Sequence, residues 1–72
     1  MAHIGIKMKK FRFDELEVGK CYTDSECRDL IFVKMRNDCL ATFHLVDYDE
    51  DGAGFETNEE IYLTQSECCF YD

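Results

Sequence analysis

The clearest hydrophobic pattern lies in "LIFVKMRNDCLATFHLVDY", residues 30–48. Two runs rich in β-branched and aromatic residues flank Arg36-Asn37-Asp38-Cys39, a turn-prone junction. The pattern predicts a β-hairpin, and its faces suggest the register. A two-residue loop at Asn37-Asp38 pairs Met35 with Leu40 and mixes charged and apolar groups on both faces. A three-residue loop, 37–39, pairs Arg36 with Leu40. It gathers Ile31, Val33, Met35, Ala41, Phe43 and Leu45 on one face. A slip of one residue would turn that set outward, so the three-residue loop is expected. The opposite face carries Lys34, Arg36, Thr42 and His44 beside Leu30, Phe32, Leu40 and Val46. Those four apolar residues need cover, from the N-terminal segment or from a second copy of the chain.

The flanking segments are shorter. In "FRFDELEVGKCYT", residues 11–23, Phe11 and Phe13 alternate with polar residues. Asp14-x-x-Glu17 then predicts a single helical turn near 14–17, with Gly19 as its stop. Lys20-Cys21-Tyr22-Thr23 reads as a short strand, and "DSECRD", 24–29, as a turn with Thr23-x-x-Glu26 as a local cap. Near the end, Ile61-Tyr62-Leu63-Thr64 is strand-like. Thr64-Gln65-Ser66-Glu67 is a capping box, which predicts one or two helical turns over 65–71.

The expected fold is therefore mainly β: a small antiparallel sheet or a partial five-stranded barrel with two short helical turns. The order of short turn, Val18-Gly19-Lys20 strand, long hairpin, fourth strand and terminal turn resembles small barrels of the SH3-like kind. That resemblance covers residues 13–72 and rests on architecture. It implies a fold and no activity, because such barrels host many functions.

Charge changes the picture. The 72 residues carry a net charge of −8, spread unevenly. Residues 1–12 hold Lys7, Lys9, Lys10 and Arg12 with no acid, giving +4; residues 13–72 hold all sixteen acids against four basic residues, giving −12. The expected organisation is a basic, flexible N-terminal segment at 1–12 and one small acidic β domain at 13–72. A domain with that field repels phosphate backbones and is steered toward basic surfaces. Direct nucleic-acid binding is not expected. The longest aliphatic-aromatic run in the middle of the chain, Leu30–Val33, is too short to span a membrane. "MAHIGIKMKK" lacks signal-peptide character, so a cytoplasmic location without a membrane partner is expected. His3 lies in this stretch and carries little functional weight.

The remaining question is chemistry. "DYDEDGAGFETNEE", residues 47–60, holds seven carboxylates in fourteen residues. Asp47, Asp49, Asp51 and Gly52 fit the start of a calcium loop. The eighth position is Gly54 and the twelfth is Asn58, where an EF-hand requires an apolar residue and a bidentate glutamate; a looser calcium loop at 47–51 stays open. Five cysteines, Cys21, Cys27, Cys39, Cys68 and Cys69, lack paired Cys-x-x-Cys spacing. They read as free thiols, with zinc binding through Cys21, Cys27, His44 and a C-terminal cysteine as an alternative. No phosphate loop, serine elbow or Cys/His pair is apparent, so catalysis and a cofactor are not expected.

What remains is the acidic surface. Asp47, Tyr48, Asp49, Glu50, Asp51, Phe55, Glu56, Glu59 and Glu60 are the expected partner-binding residues, with Tyr62 beside them. A second acidic set, Asp14, Glu15, Glu17, Asp24, Glu26 and Asp29, joins them only if the fold brings the two together. A duplex presents one charge per about 1.7 Å of axis, and carboxylates on a rigid sheet imitate that spacing. The expectation is a non-catalytic acidic module for a basic protein surface, such as that of a nucleic-acid-binding enzyme. At the level of class, it is similar to small phage or mobile-element inhibitors of the anti-CRISPR and anti-restriction type. The alternatives are an oligomerising module, using the Leu30/Phe32/Leu40/Val46 face, and a small metal-binding domain.

Overall fold

The computed structural model describes residues 7–71. The start of the expected flexible segment, with His3, lies outside them. Among the described residues six strands form: β1 (Met8–Lys10), β2 (Cys21–Thr23), β3 (Asp29–Met35), β4 (Ala41–Tyr48), β5 (Gly54–Leu63) and β6 (Cys69–Tyr71). Short 3-10 turns cover Phe13–Glu15 and Gln65–Glu67. All pairings are antiparallel, in a four-stranded sheet ordered β2-β3-β4-β5 and a two-stranded sheet ordered β1-β6. A bridge between Asp24 and Phe70 joins the two sheets. The protein is thus mainly β and antiparallel, as its patterning predicts. Among the described residues, no helix is long and apolar enough to cross a membrane.

An aromatic cluster forms the core. Phe11, Tyr22, Phe43 and Phe70 pack with ring centroids 5.0–6.3 Å apart, and Phe32 lies 5.5 Å from Phe43. Leu16, Leu30, Ala41, Leu63 and Cys68 complete it. Burial pushes the Cys68 thiol up to about 11, which leaves it protonated and inert at neutral pH. The Tyr22 hydroxyl accepts a bond from the Glu17 amide at 2.9 Å, so this buried phenol keeps its polar end satisfied.

Several local expectations need correction. The three-residue loop forms, with the Arg36 amide donating to the Leu40 carbonyl at 2.8 Å and Met35 opposite Ala41. Beyond Lys34, however, the register shifts by one at Val33, and Phe32 stands opposite Phe43. This bulge puts Leu30 and Phe32 on the core face with Met35, Ala41, Phe43 and Leu45, where Ile31 and Val33 were expected. The uncovered Leu30/Phe32/Leu40/Val46 face therefore does not exist, because Leu30 and Phe32 are buried in the monomer.

The helical turn near 14–17 lies one residue earlier. The Glu15 carboxylate accepts the Arg12 amide at 2.8 Å, and that bond holds it below the usual carboxylate range. The Thr64–Glu67 box forms, but it caps only one turn. Residues 69–71 are strand rather than helix, because all three pair with β1 and Phe70 turns inward to the core. In the basic segment, residues 8–10 are β1 and Phe11 is buried. Gln65 stitches this end together: its side chain donates to the Phe11 carbonyl and accepts the Phe13 amide.

Among the described residues, one buried side-chain polar group has no partner. The Thr42 hydroxyl is enclosed without a hydrogen bond. Thr42→Val keeps the shape and removes the orphan, so it is expected to stabilise the fold by about 1 kcal/mol. A urea titration checks this; a loss of stability of that size would contradict it.

Candidate functional site

The acidic segment is an ordered hairpin. β4 runs to Tyr48 and β5 starts at Gly54, seven residues before the strand expected from the sequence. Asp49 builds the turn between them: its Oδ1 accepts the amides of Asp51 and Ala53, each at 2.9 Å. Its own amide donates to the Ala53 carbonyl at 3.1 Å, and Gly52 adopts a φ of 81°, which favours glycine. The Asp-rich motif is thus turn chemistry. Among the described residues, no three His, Cys, Asp or Glu side chains gather where they would hold a metal ion.

All nine expected partner-binding residues are exposed. They are split between surfaces. The pairing places Thr42, His44, Val46 and Tyr48 on one face with Tyr62, Glu60, Glu56 and Gly54. Asp47 and Phe55 pair on the other face, beyond the core, and Asp49, Glu50 and Asp51 occupy the tip. Glu59 sits in an irregularity where residues 57–59 stand against Leu45 alone. The Thr57 hydroxyl holds that bulge by donating to the Leu45 carbonyl at 2.6 Å.

The face with Tyr48 and Tyr62 carries a row of side-chain contacts. The Tyr62 hydroxyl donates to Glu60, which pushes the phenol above its ordinary range. Arg36 lies over the Tyr62 ring, 4.5 Å from its centroid. His44 Nδ1 meets Glu56 at 2.5 Å. The Tyr48 hydroxyl donates to Asp29 on β3, whose other oxygen accepts the Thr23 hydroxyl. The fold therefore joins one member of the second acidic set, Asp29, to the hairpin. The contact is not legible in the sequence, because its partners are nineteen positions apart on neighbouring strands.

The rest of that set is largely neutralised. Lys9 pairs with Glu15, Arg12 with Asp14, Lys20 with Glu17, and Arg28 with the buried Asp24. Residues 37–72 carry ten carboxylates and no lysine or arginine. In the hairpin, among the described residues, the one such pair is His44 with Glu56. The negative field therefore concentrates on β4–β5.

A hollow of about 270 Å³ lies elsewhere, between the 24–28 loop and the Gln65–Glu67 turn. Asp24, Glu26, Arg28, Ser66, Glu67 and Cys69 line it. The Asp24 carboxylate there is already engaged by the Glu26 and Arg28 amides and by Arg28 Nε. Comparison of the chain with protein-family models, curated proteins and solved structures finds no match.

Proposed function

We propose that this chain is a non-catalytic acidic module that engages a basic protein surface. The observation that carries this reading is the largely uncompensated charge of an ordered hairpin: Lys9, Arg12, Lys20 and Arg28 pair with acids elsewhere, while β4–β5 presents carboxylates to solvent. An ordered hairpin with carboxylates on both faces and at its tip suits a groove that normally holds a phosphate backbone. The fitting partner is a nucleic-acid-binding enzyme, and the mode of action is inhibition by nucleic-acid mimicry, as in phage-borne anti-CRISPR or anti-restriction proteins. Such an encounter takes place in the cytoplasm.

Salt is the test. The immobilised chain is expected to capture a basic nucleic-acid-binding protein at low ionic strength and release it as screening rises. The captured protein is then expected to lose its hold on DNA or RNA when the chain is added. Capture indifferent to salt, or a partner that binds nucleic acid and this chain at the same time, would overturn the reading.

A further inference from the structure

The open sheet face contains one aromatic-carboxylate unit with a cation seated on it and one without. At Tyr62, the hydroxyl donates to a carboxylate, Glu60, and a guanidinium, Arg36, lies over the ring. At Tyr48, on the same face, the hydroxyl again donates to a carboxylate, Asp29. Tyr48 is 52% exposed, and no lysine or arginine among the described residues lies over its ring. Its seat is defined by the residue opposite: a Cβ on Gly54 would fall 3.0 Å from the Tyr48 Cε1 and 3.4 Å from Cδ1. Gly54 lacks a positive φ, so its role here is clearance for the ring. Glu56 follows on the same face, about 7 Å further along β5.

From this likeness we infer that Tyr48, with Asp29 and Glu56 beside it, is a seat for an arginine side chain of the basic partner. The guanidinium stacks on the ring as Arg36 does on Tyr62, with its edge toward the carboxylates. Arginine suits the seat better than lysine, because a planar guanidinium stacks on an aromatic face while the donors around its edge stay free for neighbouring carboxylates. A second copy of this chain does not suit it: the approaching hairpin would bring its own carboxylates against Asp29 and Glu56. This inference rests on the reading of the chain as a binder of basic protein surfaces, and it names the side chain recognised.

Nona-arginine and nona-lysine peptides separate this seat from general charge attraction. In a low-salt titration followed by amide NMR, nona-arginine is expected to bind about threefold more tightly and to shift the Tyr48 and Gly54 signals. Tyr48→Phe keeps the ring and is expected to keep the preference. Tyr48→Leu removes the ring face, and Gly54→Ala displaces the ring; both are expected to bind the two peptides equally. Position 48 is exposed, so circular dichroism and melting curves are expected to match those of the parent. A preference that survives Tyr48→Leu would overturn the inference. Equal binding of both peptides by the parent would also overturn it, yet leave the acidic-module reading standing. Binding of neither peptide would overturn both.

Discussion

Phe70→Ala is expected to remove about 3–5 kcal/mol of stability, the cost of truncating a large core aromatic. Phe70 is fully buried and packs against Phe11, Tyr22 and Phe43, with centroids 5.7, 5.0 and 5.6 Å away. It also sits at the seam, since its backbone bridges to Asp24 and joins the two sheets. A chain of this length has about 4–11 kcal/mol in total, so the loss takes a large share. The melting temperature is expected to fall by roughly 15–30 °C. The exposed Phe55 is the control. Phe55→Ala is expected to change stability by no more than about 0.5 kcal/mol. Thermal melts of the two variants check this, and similar melts for both would contradict the assignment of the core.

Asp24→Ala is expected to cost about 2–4 kcal/mol, for a different reason. The residue is only 6% exposed, yet its carboxylate is satisfied three times. Oδ1 accepts the amides of Glu26 at 3.0 Å and Arg28 at 2.9 Å, and Oδ2 accepts Arg28 Nε at 2.8 Å. Cys27 turns the chain back with a φ of 63°, a left-handed conformation that the hydrogen-bonded loop must hold in place. Alanine leaves two amides without an acceptor and a guanidinium without its counter-charge. Arg28 is partly solvated, which keeps the cost below that of a fully enclosed pair. Asp24→Asn keeps the acceptor for the amides and is expected to cost about half as much. Denaturant midpoints would show this order; equal loss in both variants would mean that the charge alone matters.

The two predicted effects fall on residues of unequal visibility in the sequence. Phe43 was readable as core from the alternation of its strand. Phe70 was not, because the Thr64–Glu67 box signals a helix start and only four residues follow through the end of β6. The box is satisfied by one 3-10 turn, after which burial of Phe70 and pairing with β1 decide the conformation. The hairpin loop at 37–39 was legible because a tight turn fixes register locally. The bulge at Val33 was not, since Leu30 and Phe32 alternate as well as Ile31 and Val33, and only the rest of the core chooses between them. β5 was legible over its apolar end. Its acidic half has low strand propensity and is held by pairing with β4.

The candidate site divides in the same way. The concentration of carboxylates at 47–60 is a matter of counting. That Asp49 is spent on the turn, that Tyr48 meets Asp29, and that Arg36 covers Tyr62 all depend on which strands are neighbours. The neutralisation of Asp14, Glu15, Glu17 and Asp24 by nearby cations gives the hairpin its distinct charge, and it needs side-chain positions rather than totals.

The most direct measurement on the central claim compares the parent with a variant carrying Asp47→Asn, Asp49→Asn, Glu50→Gln and Asp51→Asn. Asparagine at 49 retains an oxygen for the Asp51 and Ala53 amides, so the turn and the melting temperature are expected to persist. Under low-salt capture, the variant is expected to lose most of the basic nucleic-acid-binding protein that the parent retains. Undiminished capture by a variant that folds as well as the parent would contradict the account.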